Sequence, residues 1–161
     1  MNAERIDAPR PQPFSLPVRV YYEDTDAGAV VYYANYLRFM ERARTEWLDA
    51  LGFALPAFER EHGVTFAVCH TEIDFVRPAR LADRLDVTVE PRGRGASRLD
   101  LAQRVLRSGT TLASARIALA CLDAKRFRPV RIPSPLAAAL ADLPPPLRRP
   151  TAADAGSQEL H

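Results

Sequence analysis

Carboxylates and a helix start lie close together near the beginning of the chain. The carboxylates occur within residues 23–26, with the sequence Glu-Asp-Thr-Asp, at the end of an alternating segment that predicts a strand over residues 17–23. Gly28 then marks a turn, and helical periodicity begins at about Tyr33. A carboxylate can attack an electrophile or activate water, and the unpaired N–H groups of a helix start can stabilise an oxyanion. This order of elements indicates a hydrolase.

A long helix and a series of strands must position these residues. Apolar residues at spacings of three and four predict a helix from Tyr33 to Leu51, and a second, short helix is predicted from Leu55 to His62. Gly52 is the expected stop of the long helix. The apolar stripe of the long helix consists of Leu37, Met40, Ala43, Trp47, Leu48 and Leu51.

Alternating apolar and polar residues predict the strands that surround this helix. After the first strand, the predicted strands cover residues 64–76, 85–90, 97–106 and 112–122. The turns predicted at residues 91–95 and 108–110 are short, which favours an antiparallel meander. A weak helical turn is predicted at residues 136–142. The fold class is therefore α+β, with an antiparallel sheet wrapped on one buried helix.

Length and composition predict one domain with a tail at each end. The 161 residues are 47% apolar, enough for a core, and the net charge of +2 is too small to indicate nucleic acid. The domain is expected at residues 17–132, after a flexible, Pro-rich arm at 1–16 and before a Pro/Ala-rich, mostly disordered tail at 133–161. Two cysteines give no disulfide framework, and neither a signal peptide nor a membrane span is visible, so we expect a cytoplasmic protein.

A motif that begins at Val18 resembles the active-site signature of a known family. It reads Val-Arg-Val-Tyr-Tyr-Glu-Asp-Thr-Asp-Ala-Gly at residues 18–28 and continues with Val-Val-Tyr at residues 30–32. It is similar to that of hotdog-fold acyl-CoA thioesterases in the 4-hydroxybenzoyl-CoA thioesterase-like family. Further matches to the Tol–Pal-associated (YbgC-type) branch of this family lie at residues 41–46, 78–81, 94–97 and 103–104. The resemblance covers roughly residues 17–132.

The resemblance implies a fold, an assembly and an activity. The fold is expected to be a hotdog, a five-stranded antiparallel sheet around the long helix, in a homodimer or homotetramer with the active site at the subunit interface. The expected activity is hydrolysis of an acyl-CoA, with acyl carrier protein as a second possible carrier of the acyl group. Asp26 is expected to act as nucleophile or general base, and the backbone N–H of Tyr33 as the oxyanion donor. No metal or redox cofactor is expected for this reaction. Coenzyme A enters only as part of the substrate and leaves as a product.

Four residues are candidates for substrate binding. Asn35 is expected to line the acyl pocket, with the alternative that its side chain orders the loop by bonding local backbone. Arg94, Gly95 and Ser97 lie in a stretch that matches the family, and an arginine there suits the phosphates of coenzyme A. No metal site is expected, because the histidines and cysteines lack ligand spacing.

Two positions depart from the family pattern. The branch usually has His at the position of Tyr33, a change that still allows a backbone N–H to act. The family often has Gly at the position of Ala29, so a positive φ at this residue would strain the alanine. From the residues alone, a helix-capping or turn role is the favoured interpretation of Asp26. Asp24 is expected to be structural, accepting backbone N–H groups or pairing with an arginine.

Two other functions stay open at this point. A hotdog protein with these departures could bind acyl-CoA or acyl carrier protein as a scaffold, with weak hydrolysis. Alternatively, Asp24 and Asp26 could hold magnesium and accept phosphate, although Gly28 and the antiparallel pattern disfavour such a phosphotransferase. A helix glutamate, Glu41, is a minor alternative for the catalytic acid.

Overall fold

The structure, a computed structural model, describes residues 12–142 and residue 145. A 3-10 turn precedes the first helix at Tyr22–Asp24. The strands are β1 (Phe14–Arg19), β2 (Val64–Phe75), β3 (Arg84–Arg94), β4 (Arg98–Arg107) and β5 (Thr110–Asp123). The helices are α1 (Tyr33–Ala50), α2 (Leu55–His62) and α3 (Ser134–Ala139).

The strands form a five-stranded sheet in the order β1-β3-β4-β5-β2. Strand β1 runs antiparallel to β3, with Phe14 opposite Val89 and Val18 opposite Leu85. The tight turn between β4 and β5 has positive φ at Ser108 (49°) and at Gly109 (79°), which suits a two-residue hairpin. These elements confirm the predicted α+β class and its five-stranded antiparallel sheet.

Some element boundaries differ from those predicted. Strand β1 begins at Phe14, inside the segment predicted as an arm, and it ends before the 3-10 turn because the Asp24 carboxylate accepts the Tyr21 N–H at 2.8 Å and curls the chain. Residues 91–94 continue β3, so the predicted turn at 91–95 is wrong for most of its length. The reversal comes later, where the Gly95 N–H donates to the Arg98 carbonyl at 2.8 Å.

The described residues form two compact units, and the first of them is built around α1. This unit contains the described residues up to Leu55 together with Ile73–Glu90 and Ala102–Ala115. Leu37 and Leu51, predicted as core, are 41% and 40% exposed, so that part of the predicted stripe is wrong. The buried face of the helix runs instead through Asn35, Tyr36, Phe39, Met40, Ala43, Trp47 and Leu48.

A buried amide, Gln103 of β4, holds polar groups together in the core of the first unit. Its Nε2 donates to the Met40 carbonyl at 3.0 Å and to the Thr88 carbonyl at 3.2 Å. Its Oε1 accepts from the Arg44 guanidinium at 2.9 Å. Burial lowers the pKa of Arg44, and the nearby Glu41 carboxylate opposes that shift. Gln103 therefore gives a half-buried cation of α1 an acceptor while its own polar atoms are fully used.

A carboxylate closes the turn that leads into β3. Asp83 Oδ2 accepts the Arg80 N–H at 2.8 Å and the Arg107 guanidinium at 2.6 Å. Partial burial opposes ionisation of Asp83, but these donors outweigh burial and lower the pKa of its carboxyl. The Asp83 carbonyl also accepts the Val20 N–H at 2.9 Å, so this turn fixes the chain inside the motif, just before its carboxylates.

The second unit contains Pro56–Glu72, Pro91–Leu101 and the described residues from Arg116 onward. Helix α3 belongs to its core, because Leu136 and Leu140 are buried although both lie in the segment predicted as a tail. The other predicted tail and arm positions, at residues 1–11, 143–144 and 146–161, lie outside the described residues. The remaining buried apolar side chains of this unit are Phe58, Val64, Leu99, Leu101, Ile117, Ala118, Leu119, Cys121 and Ile132.

Candidate active site

The candidate catalytic carboxylate, Asp26, sits in a tight turn of the first unit. The Asp26 side chain is exposed, and its Oδ1 accepts the Gly28 N–H at 2.8 Å. The backbone closes the same turn, since the Asp26 N–H donates to the Val30 carbonyl at 2.9 Å and the Ala29 N–H to the Asp26 carbonyl at 3.0 Å. A Cβ on Gly28 would lie only 3.1 Å from Asp26 Oδ1, so the absence of a side chain there lets the carboxylate bond closely.

Ala29 adopts a left-handed conformation, the backbone geometry that would strain an alanine at this position. Its φ is +58°, which places a Cβ close to the following carbonyl oxygen and costs roughly 1–2 kcal/mol. The turn holds this conformation because hydrogen bonds close it at Asp26, Gly28 and Val30. The turn that positions the Asp26 carboxylate therefore contains a strained residue, Ala29.

Asp24 and Asn35 tie this turn to the start of α1. Both side chains are buried, and the Asp24 carboxylate is occupied by the Tyr21 N–H. Asn35 Nδ2 donates to the Asp24 carbonyl at 2.9 Å, and the Tyr32 N–H donates to the same carbonyl at 2.9 Å. This geometry agrees with the structural interpretation of Asp24, and it favours the loop-ordering alternative for Asn35 over a place in the acyl pocket.

Tyr33 is the first residue of α1, so its backbone N–H points out of the helix start. The preceding Tyr32 is extended (φ −59°, ψ 130°) and provides no side-chain cap. Across residues 12–142, no acceptor bonds to the Tyr33 N–H, whereas the Asn35 N–H is satisfied by the Tyr32 carbonyl at 2.8 Å. The helix therefore offers a donor together with the positive end of its dipole.

Two tyrosine rings lie at this helix start. The ring centroids of Tyr32 and Tyr33 are 4.8 Å apart. Hydrogen bonding to the Tyr33 side chain is the main cause of a raised pKa for Tyr32, and the Asp26 carboxylate adds to the shift. The raised pKa keeps the Tyr32 hydroxyl neutral near pH 7.

An apolar cavity of about 270 Å³ lies beside Tyr33. The Phe75 ring meets the Tyr33 ring at 6.2 Å with an 83° interplanar angle, and it meets the Tyr36 ring at 5.4 Å. Tyr36 is itself fixed because its hydroxyl accepts the Ala79 N–H at 3.0 Å. Sequence reasoning missed Phe75, since an aromatic residue at a strand end carries no sign of a cavity. The lining residues are Val31, Tyr33, Tyr36, Phe75, Val76, Arg77 and Pro78.

The other three predicted binding residues belong to the second unit. Arg94 Nε donates to the Leu140 carbonyl at 3.3 Å. Gly95 makes the reversal into β4, and the Ser97 carbonyl accepts the Cys121 N–H at 2.8 Å. The structure thus brings Asp26, Tyr33 and Asn35 together in one unit, and the roles predicted for Arg94, Gly95 and Ser97 stay predictions.

Metal-ligating clusters and membrane-spanning helices are both absent from the described part of the chain. Over the described ranges, no three His, Cys, Asp or Glu side chains form a group that could hold a metal ion. No described helix is long and apolar enough to cross a membrane.

Comparison with known proteins places the chain in a family. The chain belongs to the thioesterase-like superfamily, whose family model matches residues 20–140. This match confirms the predicted family and the hotdog-like fold, and it makes the chain an enzyme of the thioesterase class.

Individual relatives agree with this placement. A protein of Haemophilus influenzae named acyl-CoA thioesterase YbgC is 42% identical over 130 residues, which cover 81% of this chain and 96% of that protein. The crystal structure of a probable thioesterase from Bartonella henselae is 34% identical with a TM-score of 0.71, covering 76% of this chain and all of the other (100%). That of a 1,4-dihydroxy-2-naphthoyl-CoA thioesterase from Synechocystis is 26% identical with a TM-score of 0.74, covering 82% and 98%. The similarity to YbgC confirms the predicted branch.

Proposed function

We propose that this chain hydrolyses acyl-CoA thioesters, using Asp26 and the backbone N–H of Tyr33. The observation that carries the proposal is their common setting: an exposed carboxylate in a tight turn, an unbonded helix-start N–H and an apolar cavity in one unit. The name of the Haemophilus influenzae relative, an acyl-CoA thioesterase, supports the substrate class.

The proposed reaction uses the two oxygens of Asp26 differently. Oδ1 is held by the Gly28 N–H, so Oδ2 is the oxygen available for chemistry. As a general base, it takes a proton from water while the water oxygen bonds to the thioester carbonyl carbon. The C–S bond then breaks, and coenzyme A leaves as the thiolate and takes up that proton. As a nucleophile, Oδ2 bonds to the carbonyl carbon itself, and the C–S bond breaks to release the coenzyme A thiolate. Water then cleaves the resulting anhydride, which frees the carboxylic acid, restores the Asp26 carboxylate and supplies the proton that the thiolate takes up.

The N–H of Tyr33 is proposed to stabilise the oxyanion of either route. Negative charge develops on the carbonyl oxygen as the tetrahedral centre forms, and a fixed donor at a helix start needs no reorganisation to meet it. One such donor lowers the barrier by about 3–4 kcal/mol. The acyl group is proposed to pack against Tyr33, Tyr36 and Phe75 in the adjacent cavity. No metal or redox cofactor takes part in the proposed steps.

A homodimer is proposed through the open edge of β2. This strand is 12 residues long and lies at one end of the sheet order, so its outer edge pairs with no described strand. Val68, near its middle, is 49% exposed. A second copy of the chain would satisfy the open edge and cover this side chain. Analytical ultracentrifugation tests the assembly, and a monomer at micromolar concentration would contradict it.

The function is tested by following thiol release from short-chain, long-chain and aromatic acyl-CoAs, with and without EDTA. We expect Asp26→Asn and Asp26→Ala to abolish turnover with the fold retained by circular dichroism. Asp26→Asn keeps an oxygen that can accept the Gly28 N–H and should melt like the wild type, whereas Asp26→Ala loses that bond and should melt at a slightly lower temperature. Asp49→Asn makes the same change at another exposed aspartate and should keep full turnover. Near-wild-type turnover in either Asp26 variant would refute the assignment. Binding of acyl-CoA without turnover by the wild type would favour the scaffold alternative, with acyl carrier protein as the next ligand to try.

The protein's own thiols set the background of this assay. Cys69 is exposed, whereas burial raises the pKa of the Cys121 thiol to about 11. A thiol dye reacts with the thiolate, so Cys69 is the residue expected to react in the folded protein. Measurements in a Cys69→Ser background remove that signal, and no catalytic role is proposed for this residue.

A further inference from the structure

A basic loop with an exposed aromatic ring follows β5 in the second unit. Its residues, 124–128, read Ala-Lys-Arg-Phe-Arg and are all exposed. Phe127 is 67% exposed, more than any other phenylalanine in the described part of this unit. The chain's one lysine, Lys125, lies in this loop together with Arg126 and Arg128.

Hydrogen bonds from Asp123 give this loop a defined shape. Asp123 Oδ1 accepts the Lys125 N–H at 3.0 Å and the Arg126 N–H at 2.7 Å. The Asp123 carbonyl accepts the Phe127 N–H at 2.9 Å, and the Asp123 N–H donates to the Arg128 carbonyl at 2.8 Å. The ring is therefore presented outward by a closed turn.

Phe127 itself is in a conformation that bulky residues rarely adopt. Its φ is +53°, in the left-handed region that favours Gly and Asn. The exposed ring gains little from burial that would offset this strain within the described part of the chain. An apolar ring held outward among cations is suited to a surface that combines negative charge with an apolar interior.

We propose that residues 124–128 form a docking loop for an anionic phospholipid surface, in which Phe127 enters the headgroup region and the three cations face lipid phosphates. A bilayer accepts a protruding ring at any point and needs no matching pocket. A protein partner fits less well, since five residues supply far less than the roughly 800 Å² per partner of a standard protein interface. The proposal is independent of the proposed hydrolysis.

Flotation of the full chain with lipid vesicles tests the docking loop. Vesicles of phosphatidylglycerol mixed with phosphatidylcholine are compared with pure phosphatidylcholine, at low and high salt. We expect binding to the anionic vesicles that weakens with salt, and little binding to the neutral ones. Equal binding to both vesicle types, or none to either, would overturn the proposal.

Two variants separate the ring from the charges. Phe127→Asn removes the ring but tolerates the left-handed φ, so the loop should keep its shape while vesicle affinity falls about tenfold or more. Replacing all three cations by Gln should lower affinity by about fivefold per charge. A charge-matched triple replacement by Gln at the exposed residues Arg60, Arg84 and Arg116 is the control and should bind nearly as the wild type.

The variants also distinguish a lipid surface from an acidic protein and from net charge alone. If the two triple variants lose affinity equally, net charge rather than the loop drives binding, and the proposal is wrong. If the loop variants lose binding to polyglutamate while vesicle binding is unaffected, the partner is an acidic protein and the lipid proposal is overturned. The melting temperatures of the same variants should be no lower than that of the wild type, and their thiol release should match it, which separates this test from that of the proposed function.

Discussion

Replacing Tyr33 by proline removes the proposed oxyanion donor with little disturbance of the helix. Tyr33 is the first residue of α1, the one helical position where proline is favoured because its missing N–H has no intrahelical acceptor. The residue before a proline must be extended, and Tyr32 already has φ −59° and ψ 130°. Tyr33→Pro therefore deletes the N–H and the ring while the backbone path can remain the same.

The size of the expected effect follows from separating the ring from the N–H. Tyr33→Ala loses the same ring but keeps the N–H, so it is the matched control. The ring is 62% exposed, so its loss should change stability by about 1 kcal/mol or less in both variants. Loss of the donor should lower kcat of the proline variant by about 10²–10³ relative to the alanine variant, which corresponds to about 3–4 kcal/mol in the barrier.

The assay compares kcat for thiol release by the two variants on the acyl-CoA that the wild type prefers. Equal melting temperatures, within about 2–4 °C, confirm that both variants fold alike. Tyr33→Phe should retain wild-type turnover, since only the hydroxyl is lost. A proline variant with kcat within threefold of the alanine variant would show that the N–H is not an oxyanion donor, whatever the role of Asp26.

Three further predictions concern the framework of the site. Gln103→Leu leaves the half-buried Arg44 guanidinium without its Gln103 acceptor, so the free energy of unfolding measured in urea should fall by about 1–3 kcal/mol. If adding Arg44→Met recovers none of this loss, the hydrogen bond between these two residues does not contribute to stability. Ala29→Gly removes the strain at φ +58°, and the entropy cost of glycine offsets part of that gain, so the melting temperature should rise by only about 1–4 °C. A melting temperature below that of the wild type would contradict this prediction. The Asp83–Arg107 ion pair stabilises the fold above about pH 4, and this stabilisation is lost as pH falls through the lowered pKa of Asp83. Asp83→Asn should therefore make the free energy of unfolding less dependent on pH in acid, and an unchanged pH dependence would refute this prediction.

Periodicity predicted the elements well because it is a local property. Helix α1 was expected to begin at Tyr33 and does, and α2 has its predicted bounds of Leu55 and His62. The misplaced boundaries all depend on contacts that alternation does not encode. The Asp24 carboxylate turns the chain after β1, and the reversal into β4 occurs at Gly95 through a bond to the Arg98 carbonyl.

The sequence predicted the turn that carries Asp26 but not the residues that line the adjacent cavity. The motif pointed to Asp26 and the helix start as candidates, because both belong to one short stretch of sequence, and their catalytic roles stay predictions. Phe75 was missed, since its contact with Tyr33 joins residues far apart in the chain. Asn35 was identified as important, but its bond to the Asp24 carbonyl indicates a structural role that the type of residue alone left open.

The two departures from the family pattern have different physical consequences. At residue 33 the proposed chemistry uses the backbone, so a tyrosine in place of histidine changes the cavity wall and leaves the donor in place. At residue 29 the turn requires a left-handed backbone, and an alanine adopts φ +58° only with strain. The turn tolerates that strain because hydrogen bonds at Asp26, Gly28 and Val30 determine its shape. Residue 33 should therefore tune which acyl groups are accepted, and residue 29 should tune stability with little effect on kcat.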